Sequence, residues 1–126
     1  MTDSPENAPK ATEIRARLQA ERAATETQID ALNRDFTAIV EANALVAVDD
    51  EHDPDGSSTA FERAHVASLL TRARTHLEHL DDALTRLADG GYGICEICGA
   101  TIPAERLEVR PATTRCVGCA GAAGPR

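Results

Sequence analysis

The chain has 126 residues, of which 2% are aromatic and none is tryptophan, too few large rings for a sizeable globular core. Its formal charge of −8 is made of 13 acids against 5 bases in residues 1–60, 5 against 4 in 61–94 and 3 against 4 in 95–126, so there is no basic patch and direct sequence-specific DNA binding is excluded. The first twenty residues carry Asp3, Glu6, Lys10 and Glu13 with no apolar run, and no later stretch is long enough to span a bilayer, which predicts a cytoplasmic protein without membrane contact.

Residues 1–12 contain Ser4, Pro5, Asn7 and Pro9 without apolar periodicity and read as a disordered leader. From residue 13 to about 47 helix formers dominate. Ile29, Leu32, Phe36, Ile39, Asn43 and Val46 recur at alternating steps of three and four, a heptad seam in which the Asn43 amide fixes register. Extended towards the N-terminus the seam meets Thr25, Arg22 and Arg15, while Ile14 and Leu18 lie off register or alternate with polar residues, so the first two turns are expected to pack loosely.

Residues 48–58 gather Asp49, Asp50, Glu51, Asp53 and Asp55 around Pro54 and Gly56, with His52 among them, and predict a connecting loop. Taken alone, such an acidic run is a solvated loop. Thr59 and Glu62 have the capping-box spacing, which predicts that a second helix starts there. Val66, Leu70, Ala73, Leu77, Leu80, Leu84 and Leu87 form its seam, and Gly90-Gly91 ends it in a left-handed turn. His65 and His79 lie outside this seam and His76 flanks it, as surface histidines do. At about 1.5 Å per residue each helix is roughly 45 Å long. One seam each and a short connection predict an all-α fold, an antiparallel two-helix coiled-coil hairpin over 13–90 with an acidic tip at 48–58.

All four cysteines lie in the last 32 residues. Cys95-x2-Cys98 and Cys116-x2-Cys119 have the spacing of a four-cysteine zinc site, each pair offering two thiolates to one face of a tetrahedral ion. Gly99 and Gly118 allow tight turns beside the sulfurs. The alternatives are two disulfides or a redox C-x2-C. The first suits an oxidising compartment, and the second needs a βαβ setting that this sequence lacks. Four thiolates close the coordination sphere, so the expected role is one structural Zn2+ in a finger over 91–121, followed by a disordered tail at 122–126. No catalytic triad, phosphate-binding glycine loop or dinucleotide fingerprint occurs, so no enzymatic activity is expected.

Tyr92-Gly93-x-Cys95-Glu96-x-Cys98-Gly99, then Ile102, Arg106-Leu107, Pro111 and Cys116-x2-Cys119, preceded by an acidic helical hairpin, resemble the DksA/TraR-type zinc-finger proteins of bacteria over about residues 13–120. The bare cysteine spacing also fits GATA-like DNA-binding fingers, but the acidic hairpin argues against those. The resemblance implies a regulator that binds RNA polymerase and inserts its coiled coil through the secondary channel to act on initiation. In better-known members the tip carries two Asp residues three apart and an Ala two positions later. Asp50 and Asp53 keep that spacing, and Asp55 occupies the Ala position. After Cys119 the chain reads Ala-Gly-Ala-Ala-Gly-Pro-Arg, where such members continue into a helix serving polymerase contact and the guanosine tetraphosphate response, so response to that nucleotide is not carried over. The alternative function is a zinc-stapled coiled-coil adaptor for a different protein partner.

Overall fold

The computed structural model describes the backbone of residues 7–49 and 54–123 and the side chains of 10–45 and 58–121. It is all-α. α1 spans Asn7–Asp49, α2 Pro54–Asp89, α3 Ala104–Val109 and α4 Val117–Ala123. Among the described residues the β structure is limited to one antiparallel bridge, Ile94 with Thr101.

Both long helices extend further than the sequence predicts. α1 starts at Asn7, inside the expected leader 1–12, with Pro9 in its first turn, where a missing N–H costs nothing. α2 starts at Pro54, so 54–58 are helical and Thr59 is an interior residue rather than a cap. The reason is chemical. Proline at the first helical position has its φ preset and lacks only an N–H that the helix leaves unpaired there. Of the predicted loop 48–58, residues 48–49 and 54–58 are helical, and residues 50–53, with Asp50, His52 and Asp53, lie outside the described residues.

Two compact units divide the chain, residues 1–23 with 78–126 and residues 24–77. In each, α1 and α2 run antiparallel. In the second unit the predicted seams are the buried faces. Leu70 and Ala73 are buried, and Ile29, Leu32, Phe36, Ile39, Asn43, Val66 and Leu77 are half-buried. Its fully buried polar residue is Thr25 rather than Asn43. Arg74 reaches from α2 to the Asn33 side-chain oxygen of α1 at 3.3 Å.

In the first unit, Leu18, Leu80 and Ala83 form a core cluster over which Ile14, Leu84, Leu87, Tyr92 and Ala112 pack. Leu18 is 0% exposed, which overturns the expected loose packing of the first turns. The physical reason is a third partner: Tyr92 and Ala112, from the segment after α2, pack on the cluster that contains Leu18, so this core is covered by more than the two helices. Arg22 Nε pairs with Asp81 at 2.5 Å on the surface of this unit.

α2 ends as its glycines predict. Gly90 has φ +90°, its N–H donates to Leu87 O at 3.4 Å, and the Gly91 N–H donates to Arg86 O at 2.8 Å. That pair of bonds is the Schellman arrangement, which satisfies carbonyls the helix would otherwise orphan. A Cβ on Gly90 would meet nothing within 4 Å, so Gly90→Ala is expected to cost only the backbone strain of a left-handed alanine, about 1–2 kcal/mol, read as a lowered melting temperature with zinc content unchanged.

Candidate metal centre

After the α2 cap the chain makes a tight knuckle. Gly93 and Gly99 have φ +83° and +77°. Between them Cys95 N–H donates to Ala100 O at 2.8 Å, Gly99 N–H to Cys95 O at 3.0 Å, and Ile102 N–H to Gly93 O at 2.7 Å. A Cβ at Gly93 would lie 3.6 Å from Leu107 Cδ1. Ile102, 1% exposed, fills the space beneath. The second cysteine pair is built differently. Gly118 is a residue of α4, not a turn glycine, and the Cys119 N–H donates to Cys116 Sγ at 3.5 Å, so a sulfur caps the start of this helix.

Glu96 joins the two halves. Its N–H donates to Thr114 O at 2.8 Å. Its carboxylate accepts from the Thr114 hydroxyl at 3.0 Å and from Arg115 Nε at 3.2 Å. These donors, the Thr114 hydroxyl first, hold the Glu96 carboxyl below its ordinary range. Arg106 Nε supports the same segment by donating to Arg115 O at 2.9 Å.

The result brings all four predicted sulfurs together. Sγ of Cys95, Cys98, Cys116 and Cys119 all lie within 4.8 Å of one another, and they are the one group among the described residues arranged to hold a metal ion. The Cys98 and Cys116 sulfurs are 3.8 Å apart. A tetrahedral zinc with Zn–S bonds of about 2.3 Å has edges of about 3.8 Å, which the Cys98–Cys116 separation matches, and four thiol sulfurs are the donor set of a structural zinc. Cys95 is buried and Cys98 exposed.

Protonation in the cluster is uneven. Hydrogen bonds from the backbone amides of Cys116, Cys98 and Ile97 pull the Cys95 thiol down to about 6. The Cys119 thiol, bonded to the sulfurs of Cys116 and Cys95, is pushed up to about 12. One sulfur ionises readily and another resists joining it, which is the behaviour of a thiolate nest that requires a cation to be fully charged.

Two ties fix this module to the helices of its own unit and a third braces it internally, and sequence reasoning found none of them. Arg86 of α2 donates to Gly91 O at 3.2 Å and Ile94 O at 2.7 Å. Arg17 of α1 donates to Glu108 O. The Tyr92 hydroxyl donates to Pro111 O at 2.7 Å, and burial pushes its pKa up against the opposing charges of Arg17 and Arg86. Tyr92 and Pro111 were visible as motif residues, but nothing in the spacing of Arg17 or Arg86 marks them.

Residues 90–123 match the family described as the prokaryotic dksA/traR C4-type zinc finger. This segment is a zinc finger of the DksA/TraR C4 type. Its cofactor is a structural zinc ion. Among similar curated proteins, the RNA polymerase-binding transcription factor DksA of Caulobacter vibrioides is 40% identical over 63 residues, 50% of this chain and 44% of that protein. The uncharacterised protein YteA of Bacillus subtilis is 38% identical over 65 residues, 52% of this chain and 27% of that protein. The matched region thus spans less than half the length of these two relatives. In three dimensions the chain resembles transcription factor DksA2 from Pseudomonas aeruginosa, with a TM-score of 0.74 and 25% identity over 90% of this chain and 82% of the other. Among the described residues no helix is long and apolar enough to cross a membrane.

Proposed function

We propose that this protein is a transcription regulator that binds RNA polymerase, and that it inserts its acidic-tipped hairpin into the polymerase secondary channel to modulate initiation. The observation that carries the reading is the joint likeness of finger and helices to a transcription factor over 90% of the chain, not of the finger alone. Cys95, Cys98, Cys116 and Cys119 are the proposed zinc ligands, and with four thiolates the ion takes a structural rather than a catalytic role. Asp50, Asp53 and Asp55 are the proposed residues directed at the polymerase active site. Of these only the backbone of Asp55 is described, in the first turn of α2, where a carboxylate is favoured by the helix dipole.

The test is multi-round transcription with purified cognate polymerase, with and without guanosine tetraphosphate. Wild-type protein is expected to co-purify with core polymerase and to change initiation. The triple variant Asp50→Asn, Asp53→Asn, Asp55→Asn is expected to bind and to lose that change. Unaltered transcription by the triple variant would make the tip passive. A pull-down dominated by some other protein would favour the zinc-stapled adaptor instead.

A further inference from the structure

The second unit carries a groove of about 310 Å³ between α1 and α2. Ala38, Ile39 and Val66 supply its apolar surface, and Asp35, Glu62 and His65 its polar one. Two large apolar side chains continue this strip. Leu45, two turns after Ala38 on α1, is 73% exposed, and Phe61, one turn before His65 on α2, is 76% exposed. Neither contributes to a seam, and in line with Ala38, Ile39 and Val66 they lengthen an apolar strip rimmed by Asp35, Glu62 and His65, the kind of surface that a partner covers.

The charge of the strip selects among partners. Asp35 and Glu62 flank the groove, and Glu41 is exposed one turn from Leu45. Nucleic acid is repelled by such a surface, and a second copy of a chain with net charge −8 is repelled as well. What fits is a segment bearing lysine or arginine. The aliphatic stem of such a side chain can lie on Ile39 and Val66 while its charged head meets the two carboxylates, and a neighbouring apolar side chain can cover Phe61 and Leu45.

We infer that the groove between α1 and α2, extended by Leu45 and Phe61, is a docking surface for a basic, partly apolar segment of RNA polymerase. It is a binding surface separate from the tip. The inference rests on the polymerase reading above and adds where the hairpin is gripped.

The experiment measures affinity of the full-length zinc protein for core polymerase by fluorescence anisotropy over a range of salt. Compared with wild type are Asp35→Lys with Glu62→Lys, Leu45→Gln with Phe61→Gln, and a control, Asp82→Lys with Glu105→Lys, that makes the same change in net charge at exposed positions elsewhere. Both groove variants are expected to bind about ten-fold or more weakly, the lysine pair also with a shallower salt dependence, while the control stays within about two-fold. Circular dichroism and zinc content should match wild type throughout, since every substituted side chain lies at the surface or lines an open groove. If wild type binds and both groove variants bind equally well, the groove assignment is overturned and the polymerase reading survives. Equal weakening by the control and the lysine pair, with the glutamine pair unaffected, also overturns it, because general charge then explains the result. If wild type itself does not bind, the polymerase reading fails.

Discussion

Replacing Cys95 with Ser should reduce bound zinc from one ion per chain to almost none and unfold the segment 91–121. This segment has little else to hold it. Ile102 is its one fully buried large aliphatic side chain among the described residues, its helices have six and seven residues, and its β structure is a single bridge. Isolated helices that short are unstable. Apparent zinc-binding free energies of about 10–16 kcal/mol in small zinc modules are as large as the whole stability of an ordinary domain, so loss of the ion removes the fold of the module. Zinc by mass spectrometry, circular dichroism and limited proteolysis of wild type and variant measure the effect. Cleavage is expected within 91–121 in the variant and not in wild type. A metal-free variant with wild-type protease resistance would show that the finger does not depend on its ion.

The same site gives a pH dependence whose sign is fixed. Zinc binds thiolates, and the Cys119 thiol, raised to about 12, keeps its proton near neutrality in the metal-free cluster, so zinc binding expels protons and affinity rises with pH. Below about 6 the Cys95 thiol of the metal-free cluster takes up a proton as well, so the affinity for zinc should fall further there. Competition with a chelator at stepped pH reads this as an apparent affinity that falls as pH falls.

The second large effect is expected at a residue far from the cysteines in sequence. Leu18→Ala should destabilise the protein by about 3 kcal/mol or more, because it removes a fully buried side chain from the cluster with Leu80 and Ala83 and leaves a cavity. Had the first turns of α1 packed loosely, the cost would be near zero. Val109→Ala, at a residue 80% exposed, is the control and should change stability by less than about 0.5 kcal/mol. Urea unfolding of the zinc-loaded proteins separates the two cases. Leu18→Ala should also weaken the finger's attachment, since Tyr92 and Ala112 pack on the same cluster. Faster hydrogen exchange around the Pro111 segment would report it.

The exposed Glu96–Arg115 pair illustrates why geometry and energy must be kept apart here. A surface ion pair of this kind is worth little by itself. Its importance lies in joining the two cysteine pairs through three bonds to one residue, which fixes where the second pair of sulfurs stands relative to the first.

What the sequence determined by itself was everything set by short-range spacing. The leucine seam from Val66 to Leu87, the stop at Gly90 and the two C-x2-C pairs are local patterns: a helix repeats every 3.6 residues, a left-handed cap needs glycine, and a chelating turn needs two intervening residues. Each appears in the fold as its spacing dictates. What only the tertiary structure decided was everything whose partner lies far along the chain. Leu18 stands in a stretch of seam interrupted by Arg22 and Arg15, and it is buried in a cluster with Leu80 and Ala83 on which Tyr92 and Ala112 also pack. Arg17 and Glu108, 91 residues apart, and Arg86 with the carbonyls of Gly91 and Ile94, join helix to finger through groups that carry no periodic signal. The start of α2 at Pro54 rather than Thr59 overturns the reading of Pro54 as a loop residue: a proline, with its φ already set, suits the first helical position.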